Sequence, residues 1–588
     1  MIHKLFSSLA DFKTLTFRPG LNILLADRSL GSTERQTRNG AGKTSFVEVV
    51  HFLLGASLVA ESPFRAPALR GSSFGMTFDL SGGAVTVERV PQSPSRIIVV
   101  TGDTTRWPIS PSVDKRSREL VISNENWKGV LGALMFGLQD ENGASEQRFR
   151  PGFRSLISYF ARRQMSGGFL KPEQQSVDQS LWDQQVNLSF ILGLDWTIPQ
   201  RLQEVRQREK ALVELRRAAR EGVFGAIVGS AADLRTRLTV AQARSDRIRD
   251  ELSRFRVVPQ YGALEVEASQ LTGQLAALSN ENTIDQELAT RLEESIASEV
   301  APAAHDLRRV YEGAGVLFPD VAARRFDDVE RFHRSILENR RAHLRSEIDA
   351  ARVRINRRDR EKDRLDERRA QVMGILRAGG ALDHFARLQA EYSRGEAETE
   401  TLRQRYQAAE QLESEKTELD IERARLQRRL QDDYHEQSEL IRDAILTFEE
   451  LSNALYERAG SLTFAPTANG PLMEVRIEAS RSRGIANMQM FCFDMMLVES
   501  LARRGLGPGF LIHDSHLFDG VDERQVAKAL ELGAARAEAL GFQYIVTLNS
   551  DMLPRAAFGQ NFGVDDYLLD VRLTDATEDG GLFGIRFE

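Results

Sequence analysis

From about residue 199 to 455 the chain has one texture. Arg, Glu, Gln, Asp, Leu and Ala dominate, and apolar residues recur at three- and four-residue steps. LDIERARLQRRLQDDYHEQSELIRDAILTFEELSNAL, running from Leu419 to Leu455, shows the pattern plainly. A stripe of this period lines one face of an α-helix, and in so charged a segment it buries best against a second such helix. The segment therefore predicts long helices paired as a coiled coil. Proline and glycine interrupt it at Pro302, Gly313, Gly315 and Pro319, which places a hairpin tip near 301–325. An ascending arm (about 199–300) would then fold against a descending arm (about 325–455). Val258-Pro259 and Gly379-Gly380 break the two arms on either side of the tip and predict an elbow. An antiparallel hairpin returns the chain to its starting point, so residues 1–198 and 456–588 are expected to build one body.

Both end segments read as mixed α/β. LTFRPGLNILLAD looks like two strands about a Pro19-Gly20 turn, and FGMTFDLSGGAVTVERV like a hairpin turning at Gly82-Gly83. After residue 460, LTFAPT and LMEVRIEA alternate like strands. GFLIHD and FQYIVTLN read as buried strands, with VDERQVAKALELGAARAEALG between them as a helix. Strand, helix, strand in that order predicts a parallel α/β unit.

The net charge of −7 in 588 residues advertises no nucleic-acid binding, so any such site would be a local basic patch. One cysteine, Cys492, excludes a disulfide framework and suggests a reducing compartment. MIHKLFSSLADF lacks the apolar core of a signal peptide, and no stretch approaches a membrane span. A cytoplasmic protein without membrane contact is expected.

TRNGAGKTSFVEVVHFLLG, Thr37 to Gly55, carries the strongest chemical signal. Asn39, Gly40, Ala41, Gly42, Lys43, Thr44 and Ser45 follow a strand and open an apolar helix. Glycines let backbone N–H groups curl around phosphate, and the helix start adds favourable partial charge. Lys43 would reach the β- and γ-phosphates of ATP, and the Thr44 hydroxyl would ligate Mg2+. Thr37 stands where the full G-x-x-x-x-G-K-[ST] template has its first glycine. FLIHDSHLFDG, Phe510 to Gly520, runs three apolar residues into Asp514, as a strand does when it delivers an acid to a nucleotide-bound metal.

These residues and the head-plus-hairpin layout resemble the SMC, RecF and RecN branch of ABC-type ATPases. The resemblance implies an α/β ATPase head assembled from residues 1–198 and 456–588, with the 199–455 coiled-coil hairpin inserted. It implies ATP sandwiched between the phosphate loop of one head and the signature loop of another, hence a homodimer. By the same resemblance Asp514 is the metal-associated acid and Asp519 the aspartate at the dimer seam. Ser482 and Gly484, in RSRGIANMQMFCFDMML, stand nearest the signature pattern; a plain Gly-containing turn before an apolar helix is the alternative. Gln164, in FARRQMSGGF, is the favoured contact to the metal, ahead of Gln139. Arg89 would lie near phosphates, or else on the surface, and Arg162 and Arg163 would touch phosphate or be solvated.

Two further residues depart from the branch. Ser515 replaces the usual catalytic glutamate, and Asn549 replaces a γ-phosphate-sensing histidine. FLIHDSHLFDGVDERQ with QYIVTLNSDML is similar to bacterial SMC-like ATPases of three-component ABC-type systems linked to defence against phage and other foreign DNA. In that group the departures are family traits. Loss of a general base lowers turnover by roughly 10²–10⁴ while metal and lysine electrostatics survive. Strand alternation puts His516 on the Asp514 face and turns His513 away, so His516 is the substitute base. A metal site of His513, Asp514 and His516 has no familiar ligand spacing.

RVRINRRDREKDRLDERR on the descending arm is arginine-dense but interleaved with acids, which favours a solvated coiled-coil face over a DNA groove. No segment supplies a nuclease constellation, so a DNA-cutting effector would be another subunit. The expectation is an ATP- and Mg2+-dependent sensor or motor that engages DNA within a multi-subunit complex. A RecN- or RecF-type repair ATPase and a non-hydrolysing nucleotide-bound scaffold are the rivals.

Overall fold

The computed structural model describes residues 1–27, 42–59, 62–138, 148–220, 230–255, 262–298, 322–376, 382–456, 460–476, 483–575, 577 and 579–585. Two compact units are formed. One comprises Met1–Glu204, Asp306–Asp327 and Ala424–Glu588; the other comprises Val205–His305 and Asp328–Arg423.

In the first unit the two chain ends share a sheet. Strands β1 (Ile2–Ser7), β2 (Leu15–Thr16) and β3 (Gly20–Asp27) precede helix α1 (Lys43–Leu53). Strands β4 (Phe74–Leu80), β5 (Gly83–Arg89), β6 (Arg96–Thr101), β7 (Ser112–Val113) and β8 (Leu120–Ser123) then lead to α2 (Asn124–Phe136), α3 (Phe153–Ile157) and α4 (Leu181–Leu192). The C-terminal part holds α10 (Ser438–Leu455), strands β9 (Ser461–Thr467) and β10 (Gly470–Arg476), and α11 (Arg483–Arg503). It ends with β11 (Phe510–His513), α12 (Glu523–Leu540), β12 (Gln543–Asn549) and β13 (Leu568–Thr574).

The four-stranded sheet runs β11-β12-β3-β13, and every neighbour is parallel. An N-terminal strand thus lies between two C-terminal ones, so neither end segment completes this sheet alone. Its near-continuous apolar runs suit a parallel sheet covered on both faces. Ala161 adds a parallel bridge to Ile512 on the β11 edge. A seven-stranded antiparallel sheet, β2-β1-β4-β5-β6-β8-β7, stands beside it. Gln543 joins the two: its side chain accepts from the Ile2 amide and donates to the Ile2 carbonyl, both at 2.9 Å. The β4–β5 hairpin turns one residue earlier than expected, at Ser81 and Gly82. Both have positive φ (57° and 82°), the two-residue turn that matches strand twist, and Gly83 already pairs with Leu80.

The second unit is helical. It draws on α5 (Thr197–Arg220), α6 (Ala231–Arg254), α7 (Gly262–Ser298), α8 (Ala322–Leu376) and α9 (Leu382–Glu436). Pairing is antiparallel, because partners fall in number on one arm as they rise on the other. Glu209 meets Arg423, Glu267 meets Arg368, Asp285 meets Arg354, and Glu293 meets Arg352. Small apolar clusters recur along the seam, such as Ala268 and Leu271 with Val372 and Leu376. Pro302, Gly313, Gly315 and Pro319 of the expected tip, and the Val258-Pro259 and Gly379-Gly380 breaks, lie outside the described residues. The helices do stop on both sides of each break, and Phe255 packs on Phe385 beside them with ring centroids 5.6 Å apart. Arg216 donates to the Leu412 carbonyl, while the Ala231 amide donates to Glu413. Two distant points of the first arm therefore meet adjacent positions of α9, a one-sided interruption that the apolar stripe did not announce.

Candidate nucleotide site

The β3 strand ends at Asp27, and nine residues separate it from the phosphate-loop sequence that begins at Thr37; Thr37, Asn39, Gly40 and Ala41 lie outside the described residues. Gly42 precedes α1 with φ of 81°, and an added Cβ would sit 2.8 Å from the Leu582 amide nitrogen. Both conformation and space therefore require glycine. Lys43 and Thr44 open the helix, followed by Ser45.

Across the sheet, β11 delivers Asp514, which is 2% exposed. Thr44 Oγ1 donates to Asp514 Oδ2 at 3.1 Å. Asp514 Oδ1 accepts from Thr547 Oγ1 at 2.8 Å and from the Ser515 amide at 2.7 Å. The Ser515 hydroxyl turns toward the same oxygen, at 3.3 Å. Lys43 Nζ donates to Asn549 Oδ1 at the end of β12. Residues from both ends of the chain thus converge: Lys43 and Thr44 from one, Asp514, Ser515, Thr547 and Asn549 from the other. Sequence reading missed Thr547, although strand alternation puts it on the same face as Asn549.

His513 and His516 face different surroundings, but strand alternation does not reach His516: β11 ends at His513, and His516 lies in a short 3-10 turn, Ser515–Phe518. His513 is fully buried, with Nε2 3.2 Å from Asp494 and Nδ1 3.0 Å from the Tyr544 hydroxyl. Burial lowers its pKa, partly opposed by Asp494, so the neutral ring donates from Nε2 and accepts at Nδ1. His516 is partly exposed and bonds outward, its Nδ1 3.0 Å from Asp519 and its ring 3.2 Å from Arg483. Among the described residues no three-residue His, Cys, Asp or Glu cluster forms a metal site, and the His513–Asp514–His516 idea fails because His513 turns inward.

Gly484 lies in the first turn of α11, against the segment that carries Asp519. A Cβ on it would meet the Gly520 carbonyl at 2.4 Å, and Asn487 donates to the Asp519 carbonyl at 3.0 Å. Ser482 lies outside the described residues, as does Gln139. Gln164 is exposed, three residues beyond the Ala161–Ile512 bridge, so it sits at the end of the sheet edge next to β11.

Three arginines differ from expectation. Arg89 neither lies on the surface nor reaches for phosphate. It is 1% exposed, stacks on Phe52, and donates to the Phe52, Ala56 and Pro94 carbonyls, closing the C-terminus of α1. Arg162 pairs with Asp494 and Arg163 with Glu48, both inside the head, so neither is a solvated cation. In the second unit the arginine-dense stretch is held in ion pairs: Arg352, Arg354, Arg358, Arg364, Arg368 and Arg369 each meet an acid.

The residues fit a magnesium nucleotide. A hydroxyl and a carboxylate side by side are the hard oxygen donors Mg2+ takes. An ammonium beside a helix start suits a polyphosphate.

Residues 288–413 match a family model described as C-terminal domain 10 of the ABC-three component (ABC-3C) systems, and residues 451–587 match one described as an uncharacterised protein conserved in bacteria, DUF2326. No curated protein matches the chain. Among solved structures, the Smc head domain with a coiled coil and joint from Pyrococcus yayanosii is 14% identical, with 99% of this chain and 96% of that one covered and a TM-score of 0.35. The Smc head domain with an extended coiled coil bound to the C-terminal domain of ScpA, from Pyrococcus furiosus, is 10% identical, with 95% and 91% covered and a TM-score of 0.29. No described helix is long and apolar enough to cross a membrane. The match over residues 288–413 agrees with the three-component-system resemblance read from the sequence: that stretch of the chain is similar to C-terminal domain 10 of the ABC-three component systems.

Proposed function

We propose that this chain is an SMC-like ABC-type ATPase. It binds ATP with Mg2+, pairs its heads around the nucleotide, and engages DNA as the sensor or motor of a multi-subunit bacterial defence complex with a separate effector. Hydrolysis is slow or gated by partners. The observation that carries this reading is the meeting of Lys43 and Thr44 with Asp514 and Asn549 at one end of the parallel sheet.

Bound Mg2+–ATP supplies the electrophilic phosphorus and the charge to be held. Lys43 would exchange its Asn549 contact for phosphate, beside the backbone N–H groups at the start of α1. Thr44 and Asp514 would hold the metal, with Gln164 as the further contact, and Thr547 keeps Asp514 oriented. Asn549 would take the γ-phosphate-sensing place, and Ser482, Gly484 and Asp519 are assigned to the seam with a partner head. Ser515 offers a hydroxyl where a carboxylate would draw a proton from water, so proton removal falls to His516, oriented by Asp519. DNA contact falls to the heads, because six of the eight arginines in the dense 352–369 stretch of the arm already have acidic partners.

The test is nucleotide binding and single-turnover hydrolysis with DNA and partner subunits present. Lys43→Ala should weaken binding and abolish turnover. Asp514→Asn should keep binding but lower hydrolysis by roughly 10²-fold or more. Hydrolysis unchanged in Asp514→Asn would refute the site. Ser515 favours one second reading, a scaffold whose nucleotide is a fixed ligand. Ser515→Glu should raise turnover by about tenfold or more if the missing base limits it. A folded variant with no gain, together with no single turnover in the wild type, would favour the scaffold.

A further inference from the structure

Three consecutive residues ahead of Gln164 fasten to different parts of the head. The Ala161 carbonyl accepts from His51 Nε2 of α1 at 2.6 Å, and the Ala161 backbone bridges Ile512 of β11. Arg163 forks onto Glu48, also on α1. Arg162 turns into the interior, where neither its side chain nor that of Asp494 has any exposure.

A guanidinium has five N–H donors, and Arg162 uses all of them. Nε and Nη2 hold Asp494 at 2.7 and 2.6 Å. Nη1 donates to the carbonyls of Gly168 and Gln174 at 2.7 and 2.6 Å, and Nη2 to that of Pro172 at 2.5 Å. Asp494 also accepts from His513, which in turn accepts from Tyr544.

The partners matter for where they lie. Gly168, Pro172 and Gln174 belong to the loop that follows Gln164. Asp494 is midway along α11, the helix that opens at Gly484. His513 immediately precedes Asp514, and Tyr544 lies on β12, which ends at Asn549. Stability alone does not call for such a pair, since apolar residues of similar volume often serve as well. What a saturated bidentate guanidinium adds is fixed geometry.

We propose that Arg162 and Asp494 are positioning residues that join the 164–174 loop, the Gly484 helix and the Asp514 strand into one body. A shift of the loop on nucleotide binding then carries the opening turn of α11 with it. This inference rests on the ATPase reading above. Without the lock, Lys43, Thr44 and Asp514 stay in place and nucleotide still binds. Head pairing and turnover, which need loop and helix to respond together, are lost.

The experiment uses the full chain with Mg2+–ATP. Hydrogen exchange on the wild type should show residues 164–174 and 483–500 gaining protection together, at the same nucleotide concentration. Asp494→Asn and Arg162→Lys should keep ATP affinity within about threefold, while ATP-dependent self-association and turnover fall by about tenfold or more, a usual size for coupling between sites. A purely structural pair predicts instead that affinity, association and turnover drop in proportion to the loss of thermal stability, and that result would overturn the proposal. So would wild-type exchange in which one stretch responds without the other, a readout that needs no variant to fold. A wild type that binds no nucleotide would reject the ATPase reading and this inference with it; binding with unlinked responses would reject the inference alone.

Discussion

The head and the helical unit both rely on arginine–carboxylate pairs, but they place them in different solvents. Arg162 and Asp494 are wholly withdrawn from water, and every donor of the arginine is used. In the helical unit the paired side chains stay half-exposed: Arg208 and Glu422 are 57% and 43% exposed, Arg352 and Glu293 59% and 48%. Asp285 lies between the extremes at 9%, gripped by Arg354 and Arg358. Burial raises both the attraction within a pair and the penalty for losing one member. In the head, charge fixes geometry around the proposed site. Along the arms, where apolar clusters are small and widely spaced, it chiefly selects which residues stand opposite each other.

The largest effect should follow from removing one partner in the head. Arg162→Met leaves Asp494 buried without its counter-ion and three carbonyls without donors, which should cost about 3–5 kcal/mol. The chain's four tryptophans, Trp107, Trp127, Trp182 and Trp196, all lie in the head unit, so the shift can be followed by their fluorescence during denaturation. If the midpoint moves no further than for an arm variant, burial does not separate the two kinds of pair.

The same contrast decides what the sequence disclosed. The arms were legible because their signal is local: a three-to-four-residue stripe, breakers near Val258-Pro259 and Gly379-Gly380, and acids interleaved with arginines. The helix that opens at Lys43 and the strand that runs into Asp514 were legible for the same reason. Arg89, Arg162 and Arg163 were not. Each is a cation in a short motif whose partner lies far off in sequence: the Phe52 and Ala56 carbonyls, Asp494, and Glu48. Nothing near Arg162 marks Asp494, which sits as the lone acid of the apolar run MQMFCFDMML. A charged residue in such a run is itself a signal that a buried partner exists; the identity of that partner needs the fold.

An intermediate effect is expected at Asp285. Its two arginine neighbours hold the carboxyl down to about 2, first through the hydrogen bond from Arg354. The folded value lies below the ordinary one, so this stabilisation is complete above about pH 4 and is lost as pH falls toward 2. Asp285→Asn should cost about 1.5–3 kcal/mol at pH 7, the scale of hydrogen bonds to charged groups. The wild type and the variant should converge near pH 2 when helix content is followed by circular dichroism. A gap that persists unchanged at pH 2 would mean that packing, and not charge, makes Asp285 matter.

The smallest effect belongs to the exposed pairs, and salt makes it diagnostic. Arg208 on α5 bonds Glu422 on α9 at 3.0 Å, with water around both. A double-mutant cycle with Arg208→Ala and Glu422→Ala should give a coupling of about 0.2–1 kcal/mol. Screening length falls from about 10 Å at 0.1 M salt to about 3 Å at 1 M, so this coupling should fade across that range. The cost of Arg162→Met should not, because no counter-ion reaches Asp494. An arm coupling above about 1 kcal/mol that survives 1 M salt would place Arg208 and Glu422 with the head pair and remove the distinction between charge that fixes geometry and charge that selects register.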